Sequence, residues 1–514
     1  MIRRTRPLAF VSARRIAGII RLIAIASALL AGSLLAGSLP EASASKLPRW
    51  RGFNLLEKFY FSGKHQPFLE EDFRMISEFG FNFVRLPIDY RGYIADGNWE
   101  KFHETPLAQI DQAIAWGKQY GIHVCLNLHR APGWTVAQPP EAKDLWTDPE
   151  AQRVAALHWG MFALRYKGVP SSQLSFNLFN EPSLKDGAAY AAVVRKMLDA
   201  IREQDPERLV LCDGLSWGGK PATELIPLGV GQMTRGYTPF PLTHFGASWV
   251  GDNSRWQTPR WPEMAGTNGA LLSPHKGAEA HHPLVIEGNL TANSELRIIL
   301  ATVSSKATLS VRDAIGEIHR QEWIAGPDKG PWAKSELDPK WNIWRAQGAV
   351  DLGIKLPRDT PRIELRTVDG DWLEVGSIGI TRADGGNEAS VILENHWDAK
   401  PQPLIYQPER SALGIVHDKE WLRRETITPW LDFQSKGGAV MVGEWGAFHK
   451  TPHEVTLHWA ADCLANWKDA NWGWALWNFR GPFGILDSQR DDVRYEDHQG
   501  HKLDRRILEL HQKY

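Results

Sequence analysis

The chain has 514 residues, 43% of them hydrophobic and 23% charged, which is typical of an ordinary globular protein with room for a large barrel domain and an insertion. Its formal net charge of −1 argues against a nucleic-acid partner held by a strongly basic face. The 24 tryptophans are numerous, but tryptophan serves both cores and binding surfaces, so composition alone selects no function.

Residues 1–44 have the pattern of a secretory signal peptide. Six arginines precede an uninterrupted run of apolar and small residues at 22–39, and Ala42-Ser43-Ala44 then offers a cleavage site after Ala44. An uncleaved membrane anchor is the alternative, because the run is close to the length that spans a bilayer. We therefore expect a secreted or periplasmic protein, with the export route left open.

From residue 51 onward, short apolar runs alternate with longer helical patterns. The predicted strands lie at 51–55, 81–86, 122–128, 174–179, 209–212, 242–247, 439–442 and 472–477. Asp148-Pro149-Glu150 has the pattern of a helix start, and Gly80 and Gly121 have that of helix C-caps. Eight such units predict an α/β fold, a closed (β/α)8 TIM barrel of parallel strands.

Helical periodicity gives way to strand-like alternation between residues 271 and 400. In 350–356, for example, every second residue is apolar and the others are Asp, Gly and Lys. This predicts an antiparallel β-sandwich domain at 271–400, inserted after the sixth barrel strand. The catalytic barrel would then comprise residues 45–270 and 401–514.

The three cysteines give no sign of a disulfide framework. Cys125 and Cys212 lie in predicted strands, where cysteine behaves as a small apolar residue. An exported protein of this size can fold without disulfides, so we interpret these two and Cys463 as free and structural.

Two glutamates follow predicted strands in comparable settings. Asn180-Glu181-Pro182 ends the fourth apolar run, and Glu444 follows the seventh. A single glutamate at a strand end is more often solvated or salt-bridged than catalytic. Two carboxylates at one barrel mouth, however, are what acid/base hydrolysis of a glycosidic bond requires. We therefore predict Glu181 and Glu444 as the catalytic residues.

At this point the chain resembles glycoside hydrolase family 5, the cellulase-type (β/α)8-barrel retaining glycosidases. Six separated motifs in the expected strand order carry the resemblance, which covers roughly residues 50–250 and 415–490. Besides the segments of Glu181 and Glu444, they are Arg85 in VRLP, His129 in LNLHRAPG, His244 in THFGASW and Trp477 in WALWNF.

The resemblance implies a double displacement. Glu444 would attack the anomeric carbon while Glu181 protonates the leaving oxygen, and Glu181 would then deprotonate water. Arg85 would favour the ionised form of Glu444, although by itself it could instead pair with Asp89.

The remaining residues of the resemblance are expected to bind substrate. Asn180 would hydrogen-bond a sugar 2-hydroxyl, and Trp477 would pack against the sugar ring. His129 and His244 would position groups around the carboxylates or sugar hydroxyls, although either one taken singly is more often a structural histidine. The family usually has a tyrosine two residues after the sixth-strand histidine. Gly246 stands there in this chain, and Tyr237 is the candidate substitute.

We expect no cofactor and no metal. The acidic loop around Asp487–Asp497 lacks a recognisable ligand spacing, and no phosphate-binding or dinucleotide-binding motif occurs. The expected partner is a polysaccharide or oligosaccharide, with no nucleic acid, no membrane after cleavage of the signal, and a monomeric state.

The sequence therefore favours an exported retaining hydrolase of β-glycosidic bonds, most like an endo-β-glucanase. A β-mannanase, a β-1,3-glucanase and a non-catalytic carbohydrate-binding protein on the same scaffold are the alternatives. The inserted domain could bind carbohydrate or form a structural lid or partner surface.

Overall fold

The computed structural model describes residues 39–63, 65–251, 253, 256–277, 281–395, 397 and 399–514. Most of the predicted signal peptide, residues 1–38, lies outside these residues and stays a prediction. No helix in the described part is long and apolar enough to cross a membrane. The described residues form two compact units, one comprising those up to 259 together with 422–514 and the other comprising those between 260 and 421.

The first unit is a closed barrel of eight parallel strands, which confirms the predicted (β/α)8 fold. In chain order the strands are β1 Arg51–Asn54, β2 Phe83–Asp89, β3 His123–Arg130, β4 Leu174–Asn177, β5 Val210–Asp213, β6 Gly231–Gly236, β7 Val440–Trp445 and β8 Trp474–Leu476. β8 pairs with β1 and closes the barrel. Parallel strands in such a barrel bring their C-terminal ends to one mouth.

The predicted sixth strand is wrong. Residues 242–247 do not form a strand, because Phe240–Thr243 is a short helix that ends at His244. The sixth strand is instead β6, with the sequence GQMTRG. The other seven predicted runs each overlap an observed strand.

β6 escaped detection because it is fully buried yet polar. Its polar side chains have partners inside the protein. Gln232 exchanges two hydrogen bonds with the backbone of Ala222, and the Thr234 hydroxyl donates to the Gly218 carbonyl at 3.1 Å. Satisfied polar groups can be buried at little cost, so a hydrophobicity pattern does not reveal such a strand.

Seven helices of eight or more residues accompany the strands in the described part of the barrel unit. They are α1 Glu70–Glu78, α2 Glu104–Gln119, α3 Pro149–Arg165, α4 Gly187–Gln204, α5 Thr428–Ser435, α6 His453–Asp469 and α7 Arg505–Lys513. As predicted, Asp148 caps α3, accepting hydrogen bonds from the backbone N–H groups of Glu150 and Ala151. Gly80 and Gly121 follow α1 and α2 at positive φ, the conformation that ends helices at glycine.

The described part of the second unit contains two sheets. One comprises Ala270–Leu272, Glu295–Ser304, Lys334–Asp338, Ile343–Lys355, Trp372–Thr381 and Ala389–Ile392; the other comprises Glu263–Ala265, Leu284–Leu290, Lys306–Asp313, Glu317–Ile324, Thr360–Gly370, Leu404–Gln407 and Ala412–His417. Their pairing is antiparallel except between Leu284–Leu290 and Leu404–Gln407. Each sheet has one buried apolar face, exemplified by Ile298 and Leu365, which is typical of a sandwich.

This unit is wider than the predicted 271–400. Glu263–Ala265 pairs with Ala412–His417 at one edge of the larger sheet, so residues on both flanks of the predicted range belong to the sandwich. The unit lies between β6 and β7 in the chain, after the sixth barrel strand as predicted. Cys125, Cys212 and Cys463 are free and buried, also as predicted.

Candidate active site

Polar side chains from most of the barrel strands meet at the C-terminal mouth. Asn54, Asp213 and Glu444 lie at or near the ends of β1, β5 and β7, and Glu181 follows β4. The barrel geometry brings these separated positions together. The two predicted catalytic glutamates share one partner, because the guanidinium of Arg235 contacts both.

Glu444 is held in place from three sides. Its Oε1 accepts a hydrogen bond from Arg85 Nη1 at 2.5 Å and lies 3.2 Å from Arg235 Nη2, and its Oε2 accepts from the Tyr237 hydroxyl at 3.4 Å. Register shifts against both neighbouring strands mark an irregularity in β7 around this residue. Such irregularities re-aim side chains near active sites. Two guanidinium groups therefore pair with this carboxylate.

Glu181 has a different environment. Its side chain is 19% exposed, against 4% for Glu444, and its Oε1 accepts from Arg235 Nε at 2.9 Å. Burial of the carboxyl, and secondly the negative charge of Glu444, raise the pKa of Glu181 to about 7, against the opposing effect of Arg235. A carboxyl with a pKa in this range can hold a proton near neutral pH and then release it.

The backbone of Glu181 is strained. Its φ is +48°, in the left-handed region that non-glycine residues seldom occupy. Its N–H donates to Asp213 Oδ2 at 2.8 Å, and the next carbonyl, that of Pro182, accepts from the Trp217 N–H at 2.9 Å. These hydrogen bonds hold the carboxyl at the mouth.

Arg85 is completely buried, and the carboxylate that it contacts is that of Glu444. The side chains that accept its hydrogen bonds are Asn54, Asn177, Asn180 and Glu444. The alternative pairing with Asp89 does not occur, since Asp89 pairs with Arg91 and Arg130. The structure therefore places Arg85 beneath the site, in contact with Glu444, whereas the sequence grouped it with the substrate-binding residues.

Asn180 and Trp477 follow β4 and β8 at the mouth of the barrel. Asn180 Oδ1 accepts from both Arg85 and Arg235, while its buried Nδ2 has no hydrogen-bond partner among the described residues. An unpaired buried donor is costly unless a ligand or water satisfies it. Trp477 follows β8, is half-buried, and stacks on His129 with ring centroids 5.4 Å apart. It offers a flat apolar surface at the mouth of the barrel.

The two predicted histidines differ. His129 lies in β3 under Trp477, and burial together with the charges of Arg85 and Arg235 lowers its pKa to about 3, so the ring is neutral. His244 does not lie at a strand end. Its ring stacks on that of Phe240 with centroids 4.0 Å apart, and among the described residues this ring hydrogen-bonds only to the Thr243 hydroxyl. The sequence therefore assigned His244 to a position that it does not occupy.

Arg235 and Tyr237 lie at the end of β6, the place to which the sequence analysis assigned His244. Tyr237 is the substitute that the sequence suggested, and its phenol reaches Glu444. Burial, followed by the negative charge of Glu444, raises the pKa of Tyr237, so the hydroxyl stays protonated and donates. Gly246 lies in the following loop at φ +69°.

Sequence reasoning missed Arg235 and Asp213. Arg235 lies in the strand that was not recognised, so no strand-end signal pointed to it. Asp213 was detectable, because it follows the apolar run LVLC just as Asn180 and Glu181 follow theirs. It is completely buried. Among the residues that the structure describes, no group of three or more His, Cys, Asp or Glu side chains is placed to hold a metal ion.

Parts of this sequence, and its fold, are similar to those of known proteins. Residues 41–234 match the model of the family described as Cellulase (glycosyl hydrolase family 5). Endoglucanase C of Acetivibrio thermocellus is 30% identical over 184 residues, 35% of this chain and 53% of that protein. A probable glucan 1,3-beta-glucosidase A of Aspergillus fumigatus is 29% identical over 165 residues, 29% of this chain and 38% of that protein.

A solved structure described as that of a glycoside hydrolase is 26% identical, with a TM-score of 0.59, and covers 90% of this chain and 99% of that chain. The sequence match spans only about half the length of the endoglucanase. Taken with the barrel and its two strand-end glutamates, these matches show that residues 41–234 are similar to glycosyl hydrolase family 5 and that the fold is that of a glycoside hydrolase of known structure.

Proposed function

We propose that the protein is an exported retaining β-glycoside hydrolase that cleaves polysaccharide or oligosaccharide chains by double displacement. The observation that carries the proposal is the convergence of Glu181 and Glu444 on one guanidinium, that of Arg235, at distances of 2.9 and 3.2 Å. A retaining glycosidase needs one carboxyl that is protonated and a second, nearby, that is ionised.

The two environments assign the roles. Glu181 is the more exposed carboxyl, and its raised pKa suits a general acid and base. Glu444 is paired with two arginines and accepts from Tyr237, which suits an ionised nucleophile. Glu444 would attack the anomeric carbon while Glu181 protonates the leaving oxygen, and water deprotonated by Glu181 would then release the sugar.

Azide rescue tests both roles in one design. Glu444→Ala should lose turnover of an activated aryl β-glycoside and regain it with azide, giving the inverted α-glycosyl azide. Glu181→Ala with azide should give the β-glycosyl azide, because Glu444 still forms the covalent intermediate. Glu203→Ala, at an exposed position of α4, is the control and should behave as wild type. Full activity of Glu444→Ala without azide would refute the assignment.

We further propose an endo-β-glucanase type of activity. Its support is the similarity of the barrel to an endoglucanase, although the match to a glucan 1,3-beta-glucosidase keeps β-1,3-glucan in consideration. Product analysis on soluble β-1,4-glucan, β-1,3-glucan and β-mannan tests this proposal. Release of a ladder of oligosaccharides from β-1,4-glucan is the expected result. Binding without hydrolysis on all three would instead favour a non-catalytic carbohydrate-binding protein.

We propose export through the predicted signal peptide. The support is the arginine-rich start, the apolar run at 22–39 and the small residues before Ser45. Expression of the full chain in a bacterium, followed by fractionation and N-terminal sequencing, should recover protein that begins at Ser45 outside the cytoplasm. Recovery of full-length chain in the membrane would favour an anchor.

A further inference from the structure

Arg235 occupies the centre of the charged groups at the barrel mouth. Its Nε donates to Glu181 Oε1 at 2.9 Å, and its Nη2 lies 3.0 Å from Asn180 Oδ1 and 3.2 Å from Glu444 Oε1. The same Nη2 also pairs with Asp213. The side chain is 5% exposed, so a single buried guanidinium links three carboxylates.

The surrounding backbone leaves room for this side chain. A Cβ on Gly218 would lie 2.8 Å from Arg235 Cγ, and a Cβ on Gly443 would lie 3.0 Å from Arg235 Nη1. The 2.8 Å contact would force a shift of the neighbouring atom, and the 3.0 Å contact would displace it by a few tenths of an ångström. The two glycines therefore form a slot in which the guanidinium is fixed, with Asp213 as its anchor.

Arg85 does not duplicate this role. Arg85 contacts Glu444 and lies 4.0 Å from Asp213, whereas Arg235 is the only cationic side chain that contacts Glu181 in the described part of the chain. Glu181 Oε2 accepts no hydrogen bond from the described residues. The two oxygens of this carboxyl are therefore inequivalent.

We propose that Arg235 is a positioning residue that reserves Oε1 of Glu181 as a hydrogen-bond acceptor and so directs the catalytic proton to Oε2. This inference rests on the proposed function of Glu181 as acid and base. An oxygen that already accepts from a guanidinium is the poorer site for a proton, and Oε2 is the oxygen left free.

Both chemical steps can proceed with Arg235 in place. In the first step the Oε2–H bond breaks and the proton goes to the leaving oxygen, which keeps the electron pair of its broken bond to carbon, while Glu444 bonds to that carbon. In the second step water gives a proton to Oε2 and its oxygen replaces Glu444 at the carbon. The negative charge that appears on Glu181 in the first step develops beside the guanidinium, which stabilises it.

The charge balance around Glu181 depends on groups from several strands. Four titratable or charged side chains interact with it: Asp213 on β5, Arg235 on β6, Tyr237 after β6 and Glu444 on β7. Arg85 on β2 and His129 on β3 lie beside these groups. Asp213 and Glu444 raise the pKa of Glu181 and Arg235 lowers it. Without Arg235 the carboxyl would remain protonated to higher pH and would be a weaker acid.

The experiment compares Arg235→Met and Arg235→Lys with wild type on two aryl β-cellobiosides. One has a 2,4-dinitrophenolate leaving group, which departs without a proton. The other has a 4-methylumbelliferyl leaving group, whose departure depends more strongly on a proton from the general acid. Arg235→Met should lose about 10-fold or more activity on the second substrate relative to the first, in keeping with the usual contribution of general acid catalysis. The alkaline limb of its kcat/KM profile should move up by about 1 pH unit or more.

Arg235→Lys keeps the positive charge, so the alkaline limb of its kcat/KM profile should stay close to that of wild type. It should still lose activity on the poorer leaving group, because an ammonium cannot hydrogen-bond both carboxyls in the geometry of a guanidinium. Arg208→Met is the matched control, since Arg208 is also buried and paired with an aspartate, Asp205, away from the mouth. It should affect both substrates equally. Equal losses on both substrates in the Arg235 variants, with an unmoved alkaline limb, would overturn the inference.

Carbon-13 NMR of labelled glutamate carboxyls provides a readout that needs no turnover. The Glu181 signal, assigned by its loss in Glu181→Gln, should titrate at higher pH in Arg235→Met than in wild type. An unchanged titration would refute the role of Arg235 even in an active enzyme. Wild-type protein inactive on both substrates would refute the proposed function, while the titration would still test the effect of Arg235 on Glu181.

Discussion

The raised pKa of Glu181 predicts a pH-dependent cost in stability that needs no substrate to detect. The pKa rises from an ordinary 4.5 to about 7 in the folded protein, mainly because the carboxyl is buried. Between these two values the folded state binds more protons at this site than the unfolded state. The free energy of unfolding therefore falls as the pH rises through this window.

The size of the effect follows from the same values. Each pKa unit is worth about 1.4 kcal/mol, so the full shift corresponds to about 3 kcal/mol for this residue. Glu181→Gln removes the titration and retains the side-chain shape. The free energy of unfolding of the variant minus that of wild type should therefore increase by about 3 kcal/mol as the pH rises from 4 to 8. Residues that serve activity at the expense of the free energy of unfolding are common in enzymes.

Chemical denaturation of wild type and Glu181→Gln at intervals across this pH range measures the difference. Tryptophan fluorescence and circular dichroism should be followed together, because two units can unfold in separate steps. Glu203→Gln, at an exposed position of α4, is the control and should show no comparable trend. A stability difference between wild type and Glu181→Gln that does not change with pH would refute the reasoning.

Three further predictions concern activity. For a substrate whose leaving group needs a proton, kcat/KM should fall about tenfold per pH unit above about pH 7, because Glu181 loses its proton there; a flat profile to pH 9 would contradict this. Tyr237→Phe removes a 3.4 Å hydrogen bond to Glu444 and should lower kcat by roughly 5- to 10-fold, the equivalent of about 1 kcal/mol, with little change in melting temperature; steady-state kinetics and thermal melting would measure both. Trp477→Ala should raise KM for oligosaccharides by about tenfold or more through loss of the apolar ring surface, whereas Trp217→Ala, which removes an exposed ring near the mouth, provides the comparison; an unchanged KM in Trp477→Ala would show that this ring does not contact the sugar.

The sequence by itself determined the barrel and its two glutamates. Seven of the eight strands overlap runs that the residue pattern indicated as strands, and a polar residue at the end of an apolar run is not needed for packing. Glu181 and Glu444 could be recognised for this reason, and Asp213 could have been found by the same argument. The inserted sandwich was visible because its residue pattern alternates with the period of a strand.

Only the tertiary structure decided the sixth strand and the residues it contributes. β6 is polar and buried, and what makes its burial possible is a set of partners far away in the chain, such as Glu181 and Glu444 for Arg235. A sequence pattern records the polarity of a residue but not the partner that compensates it. The same limit explains why His244 was assigned to a strand end, while Arg235 and Tyr237 occupy the position beside the two carboxyls.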